Sequence, residues 1–99
     1  MKNATLLDLI KAADKYQIQD LKIMCEYIII FICKITIENA LLLLAVADQS
    51  NSTLLKDKTI EFIVANAKTI IENPEFNSLT NLHPEIVREI FRKMELRIR

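Results

Sequence analysis

The chain has 99 residues, 52% of them apolar, and its 13 basic and 13 acidic side chains cancel. That length supports one core and excludes two independent ones, while the cancelled charge removes the basic footprint that a nucleic-acid or anionic-membrane binder needs. Glycine is absent and there are only two prolines, so glycine-dependent hairpins, phosphate loops and anion nests are excluded and an all-α fold is expected.

The first four residues, Met1-Lys2-Asn3-Ala4, have no long apolar stretch behind their charge, which speaks against a secretory signal. The first helix is predicted from about Thr5 to Lys15. Asn3 or Thr5 is its candidate N-cap, Leu6, Ile10 and Ala13 share one face, and Leu7 and Leu9 widen it. The second begins near Ile18 and sets Leu21, Cys25, Ile28 and Ile32 at intervals of three and four, with Met24, Ile29 and Phe31 on the other side. A helix apolar nearly all round needs cover nearly all round. Its end, YIIIFIC from Tyr27 to Cys33, is bracketed by Glu26 and Lys34; seven residues fall far below the roughly 20 that cross a bilayer, so it reads as a buried helix end. Met24 and Tyr27–Phe31 offer more apolar surface than one helix pair covers, so the isolated chain is expected to self-associate or to keep a partially ordered front end.

Thr36 is predicted to cap a third helix opened by Ile37 and Glu38 and continued by the run ALLLLAVA, residues 40–47, whose Leu and Ala content favours helix over strand. Residues 48–52, DQSNS, form the clearest loop. Ser52 is the expected cap of a fourth helix that carries Ile60, Ile63, Val64 and Ala67 to about Glu72. Asn73-Pro74 stops it, and residues 74–81 read as a short helical turn held by Phe76 and Leu79. His83-Pro84 opens the last helix, with Pro84 where a missing N–H costs nothing. Along it Val87, Ile90, Phe91 and Met94 form a stripe opposite Arg88, Glu89, Arg92 and Glu95. Five principal helices and no sheet result, with no solenoid repeat signature.

Cys25 and Cys33 lie eight residues apart on one predicted helix, about 12 Å of rise and roughly twice what a disulfide spans. Neither has zinc-ligand spacing. They read as buried thiols in a reducing compartment, which places the chain in the nucleus or cytoplasm.

Residues 9–26, LIKAADKYQIQDLKIMCE, resemble the two helices that close a BTB/POZ domain of the speckle-type kind, where LL-x-AADKY, a polar pair and L-K-x-MCE follow one another. Residues 35–63, ITIENALLLLAVADQSNSTLLKDKTIEFI, are similar to the helix pair called the three-box, and residues 83–94, HPEIVREIFRKM, to the final helix of the same family. The resemblance covers residues 6–94. It implies an all-α chain of helical hairpins, with 1–34 the C-terminal helices of a truncated BTB/POZ domain and 35–99 a three-box/BACK-like extension, the two forming one cooperative unit. The family's substrate-binding MATH domain, the BTB sheet and the upstream cullin motif have no counterpart in this sequence, so a fragment or a truncated paralogue is expected.

The function implied is that of a protein-binding adaptor of cullin-3 RING ubiquitin ligases, with a cullin-3-type scaffold or another family member as partner. No cofactor, metal, nucleic acid, membrane or small-molecule substrate is implied. Carried over residue by residue, Tyr16, Asp20, Ile35 and Ile37 are candidate contacts with the cullin. Val87, Phe91 and Met94 are candidates for self-association. Beside these stand plainer readings: Tyr16 packing a helix joint with its hydroxyl in water, and the Val87–Met94 stripe lying in the chain's own core. His83, the only histidine, precedes a proline at a helix start, where capping or solvation is expected; catalysis would need a nucleophile and an orienting partner that nothing specifies. The alternative function is a structural element that oligomerises without recruiting a ligase.

Overall fold

Without glycine, every helix in this chain must stop by other means, and the stops set the architecture. The computed structural model describes the backbone of residues 3–98 and the side chains of residues 5–96. Helix α1 spans Asn3–Lys15, α2 Gln19–Ile28 with a π-helical continuation Ile29–Cys33, α3 Ala40–Gln49, α4 Thr53–Ala65, α5 Ala67–Ile71, α6 Pro74–Leu82 and α7 Pro84–Ile98. The fold is all-α, with no strand among the described residues. Thr5 lies inside α1 rather than at its cap; the capping role expected of Asn3 falls outside the described side chains.

Helices α1 and α3 both end in Schellman turns. After α1 the Ile18 N–H bonds the Ala13 carbonyl at 2.8 Å and the Gln17 N–H that of Asp14 at 3.1 Å; after α3 the Ser52 N–H bonds Ala47 at 2.8 Å and the Asn51 N–H bonds Asp48 at 3.3 Å. The left-handed residue is Gln17 (φ 55°) in the first and Asn51 (φ 54°) in the second. Asn tolerates that conformation and Gln does so at a cost, where glycine would adopt it freely.

Five expectations about helix ends need correction. The regular part of α3 starts at Ala40, although Thr36 does cap the turn before it: the Asn39 N–H donates to Thr36 Oγ1 and the Thr36 N–H to Asn39 Oδ1, as in a capping box. The predicted fourth helix is two, α4 and α5, because the Asn66 side chain bonds the Phe62 carbonyl at 2.9 Å and competes with the helical ladder. Ser52 occupies the N-cap of α4 but makes no cap bond; its hydroxyl pairs with Ser50 at 2.7 Å. Residues 74–82 form a full helix, whose cap is Asn73 accepting from the Glu75 N–H. Ile32 does not join the inward face of α2, because the π turn brings in an extra residue and rotates the end of the helix: Ile29 and Cys33 turn toward the core, while Ile32 is 74% exposed.

Two apolar clusters fill the interior. One unites α1 and α2 with α3 and α4, through Leu6, Ile10, Cys25 and Ile29 on one side and Leu43, Val46, Ala47 and Leu55 on the other. The second joins Leu41, Leu44, Ile60 and Ile63 to Ile70, Phe76, Leu79, Ile86 and Ile90. Helix α3 serves both, which is why its run ALLLLAVA is apolar without alternation. Ile35, in the linker before it, packs against both clusters. The radius of gyration is 13.2 Å, the value of about 13 Å expected for a compact domain this long.

Candidate protein-interaction surface

Helix α2 places the sequence-derived candidates at its two ends. Tyr16 and Asp20 are exposed at the joint between α1 and α2, where Lys15 lays its ammonium 5.6 Å from the Tyr16 ring centroid. Ile35 and Ile37 sit beyond the other end, Ile35 half-buried between the clusters and Ile37 exposed. At the rise of a helix the two pairs are separated by about 20 Å, so the structure does not gather them into one spot.

What connects them is an apolar stripe. Met24, Tyr27 and Phe31 recur at helical spacing after Asp20, each more than half exposed, and Ile23 borders them. The Tyr27 and Phe31 rings stack with centroids 5.7 Å apart and planes 19° from parallel, the offset arrangement that aromatic pairs favour. The expectation of a buried helix end over Tyr27–Cys33 is thereby overturned, since Tyr27, Phe31 and Ile32 are all more than half exposed; the apolar excess of the second helix stays uncovered within the chain. The large side chains stand in a row rather than scattered singly, which sets this face apart from ordinary exposed apolar residues.

The opposite face of α2 holds the fold together. Lys22 and Glu26, one turn apart, are 7% and 3% exposed. Lys22 Nζ reaches Asp14 of α1 at 3.0 Å and the Ser50 carbonyl at the end of α3 at 3.3 Å, while Glu26 Oε2 accepts from the Leu55 N–H in the first turn of α4 at 2.7 Å. A cation thus meets the negative end of α3 and an anion the positive end of α4. The sequence showed Lys22 and Glu26 as parts of the L-K-x-MCE run, and Glu26 as the charge before YIIIFIC, but nothing in it marked them as buried. Cys25, between them, has its thiol pushed above the usual range by burial and then by the charge of Glu26, so it stays protonated and unreactive at neutral pH.

The α7 stripe divides. Val87 is buried in the second cluster beside Ile86 and Ile90, so it offers nothing to a partner while that core is closed; Met94 is half-buried against the same cluster, and Phe91 is 49% exposed. Asp48, Lys56, Glu89 and His83 form a polar seam where α3, α4 and α7 meet, with Lys56 3.1 Å from Asp48 and 3.4 Å from Glu89, and His83 3.9 Å from Asp48. Burial opposes the Lys56 charge, but the hydrogen bond to Asp48, then the charges of Glu89 and Asp48, outweigh it and hold the ammonium above its ordinary value. A groove of about 320 Å³ between α3 and α6 is lined by Leu41, Leu42, Ala45, Leu79 and Leu82 with Glu75 and His83 at its edge. No group of three or more His, Cys, Asp or Glu placed to hold a metal ion occurs among the described residues. Nor is any of their helices long and apolar enough to cross a membrane.

Comparison with known proteins supplies the family context. The chain is 34% identical over 88 residues to mouse TD and POZ domain-containing protein 4, and 33% identical over 88 residues to mouse TD and POZ domain-containing protein 1. It is also 33% identical over 87 residues to the mouse protein called TD and POZ domain-containing protein 1-like. The TD and POZ domain-containing proteins are its homologues. Each alignment takes in 88% of this chain, which spans 23% of the length of these curated relatives. No family model matches. The similarity to POZ proteins agrees with the likeness carried by AADKY and LKIMCE, and it makes the exposed α2 stripe the surface to explain.

Proposed function

We propose that this chain is a protein-interaction module of the BTB/POZ kind, the helical part of a speckle-type adaptor with three-box/BACK-like helices, which contributes to recruiting a cullin-3-type scaffold in ubiquitin-dependent degradation in the nucleus or cytoplasm. The observation that carries this reading is the stripe of Met24, Tyr27 and Phe31 left exposed on α2 in a chain whose homologues are POZ domain-containing proteins. Tyr16 and Asp20 at one end and Ile37 at the other are the contacts assigned to the scaffold, with Ile35 setting the joint behind Ile37. A partner that touches both ends must lie along α2 and cover the stripe. Aromatic and Met side chains in such a row are what the centre of a protein interface is made of. Phe91, the exposed member of the α7 stripe, is a second and smaller contact for self-association, with Met94 behind it.

The module works by binding and by no chemistry of its own. A surface drawn from 23% of the relatives' length is expected to hold the scaffold at micromolar rather than nanomolar affinity. The test is co-elution of the chain with the N-terminal region of cullin-3 in size-exclusion chromatography at tens of micromolar. A shared peak is expected; separate elution at that concentration overturns the ligase reading.

A further inference from the structure

We propose that Ile29–Cys33 is a two-register element, able to exchange the π-helical form of the structure for an α-helical one that turns Ile32 inward and Cys33 outward. The exchange does not depend on which partner the chain binds. Three features of one short segment point to it.

The first is the hydrogen bonding. The Lys34 N–H donates to the Ile29 carbonyl at 2.8 Å, five residues back, so the turn is wider than the α-helix it continues. The second is strain. Lys34 sits at φ 66°, ψ 146°, at the border of a region that only glycine enters readily. Lys34 cannot drift out of it alone, because Asn39 Nδ2 donates to the Lys34 carbonyl at 3.2 Å while Asn39 Oδ1 holds the Thr36 N–H at 2.7 Å. The capped turn before α3 is thereby fixed, and the mismatch between it and the end of α2 is taken up at Lys34.

The third is side-chain placement. Seven α-helical residues make almost two full turns, so in an α register Ile32 would lie beneath Cys25 on the core side. In the π register it is Cys33 that packs against the first cluster, and Ile32 stands 74% exposed. The segment IIFIC is apolar at every position, so each register presents an apolar side chain to the same core site. The hydrophobic pattern, which normally forbids a slip of phase, does not forbid this one. The observed register thus combines a widened turn, a strained linker and an exposed isoleucine, and its competitor relieves all three while giving up the partial burial of Cys33.

Cys33 reports the exchange, with buried Cys25 as an internal reference that reacts only when the whole fold opens. Maleimide labelling of the intact chain, resolved by peptide mass spectrometry, is followed in the wild type and three variants. Lys34→Gly removes the strain specific to the π register, and Lys34→Gln controls for the lost charge. Ile32→Asn is harmless on the surface but would place an amide in the core in the α register. Cys33 is expected to label faster than Cys25 in the wild type, and at least about threefold more slowly in Lys34→Gly than in Lys34→Gln and in Ile32→Asn than in the wild type, as the population shifts to the π form. Two results overturn the proposal: Cys33 labelling no faster than Cys25, or equal Cys33 rates in Lys34→Gly and Lys34→Gln together with an unchanged rate in Ile32→Asn.

Discussion

Glu26 of α2 caps α4 from 29 residues away, its carboxylate accepting the Leu55 N–H at 2.7 Å in a site from which water is excluded. Leu55 is the third residue of α4, the position whose N–H a Ser or Thr at the helix cap ordinarily satisfies. Here that local residue, Ser52, is engaged elsewhere. Ser50 gives its hydrogen to the Val46 carbonyl, so Ser52 is the donor in the 2.7 Å bond between the two serines.

Replacing Glu26 by Ala strands a buried N–H and is expected to cost about 1–3 kcal/mol. Glu26→Gln keeps an acceptor, loses the charge on the helix dipole and should cost less, on the order of 1 kcal/mol or below. Because Lys22 holds the other side of the same hairpin turn through Ser50, the Lys22→Met and Glu26→Ala effects should not add. Urea unfolding followed by circular dichroism at 222 nm checks all three; additive costs would show that the two side chains act on independent parts of the fold.

The Lys56 seam gives the fold an alkaline limit. Its ammonium is held above the ordinary lysine value of 10.5, so the charged form is favoured by folding. That contribution is complete below about pH 10.5 and is lost as pH rises through the higher folded value. The melting temperature of the wild type should therefore fall more steeply above pH 10.5 than that of Lys56→Met, the difference between the two isolating this lysine from the rest. Parallel curves would show that the bonds to Asp48 and Glu89 add nothing to stability.

A gain in stability is expected where the chain does without glycine. Gln17 occupies the left-handed position of a Schellman turn, where a side chain costs about 1–2 kcal/mol and glycine returns part of that as unfolded-state entropy. Gln17→Gly should stabilise by roughly 0.5–1 kcal/mol. Asn51→Gly, at a residue already tolerant of φ 54°, should do much less. Thermal unfolding of the two variants ranks them; the reverse order would contradict the turn assignment.

Much of this architecture was legible because its determinants are local. Thr36 as a cap, the stop at Asn73-Pro74 and Pro84 at its helix start are signals written within a few residues of where they act, and the spacing of Leu6, Ile10 and Ala13 marked the inward face of α1; Asn39 as the partner of Thr36 and Asn73 as the cap of α6 were not read. What else escaped was non-local or degenerate. Nothing near Thr53 shows that its helix is capped by Glu26, and the uniform apolarity of YIIIFIC hides which residues face inward. Val87 and Phe91 belong to one stripe by periodicity, yet α7 buries the first and leaves the second half-exposed, a division fixed by how α4 and α6 pack against it. The stripe of Met24, Tyr27 and Phe31 was visible as an excess of apolar surface.

That excess has a consequence for the isolated chain. Covering about 300 Å² of apolar surface at about 25 cal/mol per Å² contributes on the order of 7 kcal/mol, comparable with the whole stability of a small domain. Sedimentation velocity between 1 and 100 µM, on the order of usual interface affinities, should show dimers or larger species for the wild type. Met24→Glu/Phe31→Glu should be monomeric with unchanged helicity. Phe91→Ser should weaken association slightly, whereas Val87→Ala should lower stability without touching it. A compact monomer at the highest concentration, with no dye binding, would mean that the chain closes its own surface.

The most direct test of the interaction reading is calorimetric titration of the cullin-3 N-terminal region into four forms of the chain: wild type, Tyr16→Ala/Asp20→Arg, Met24→Glu/Phe31→Glu and, as a control in the α3–α6 groove, Leu82→Asp. Micromolar binding is expected for the wild type and the control, with losses of about tenfold or more in the two α2-face variants, equivalent to at least about 1.4 kcal/mol each. Binding undiminished in both α2-face variants, or lost only in Leu82→Asp, would contradict the assignment of α2 as the surface that meets the scaffold.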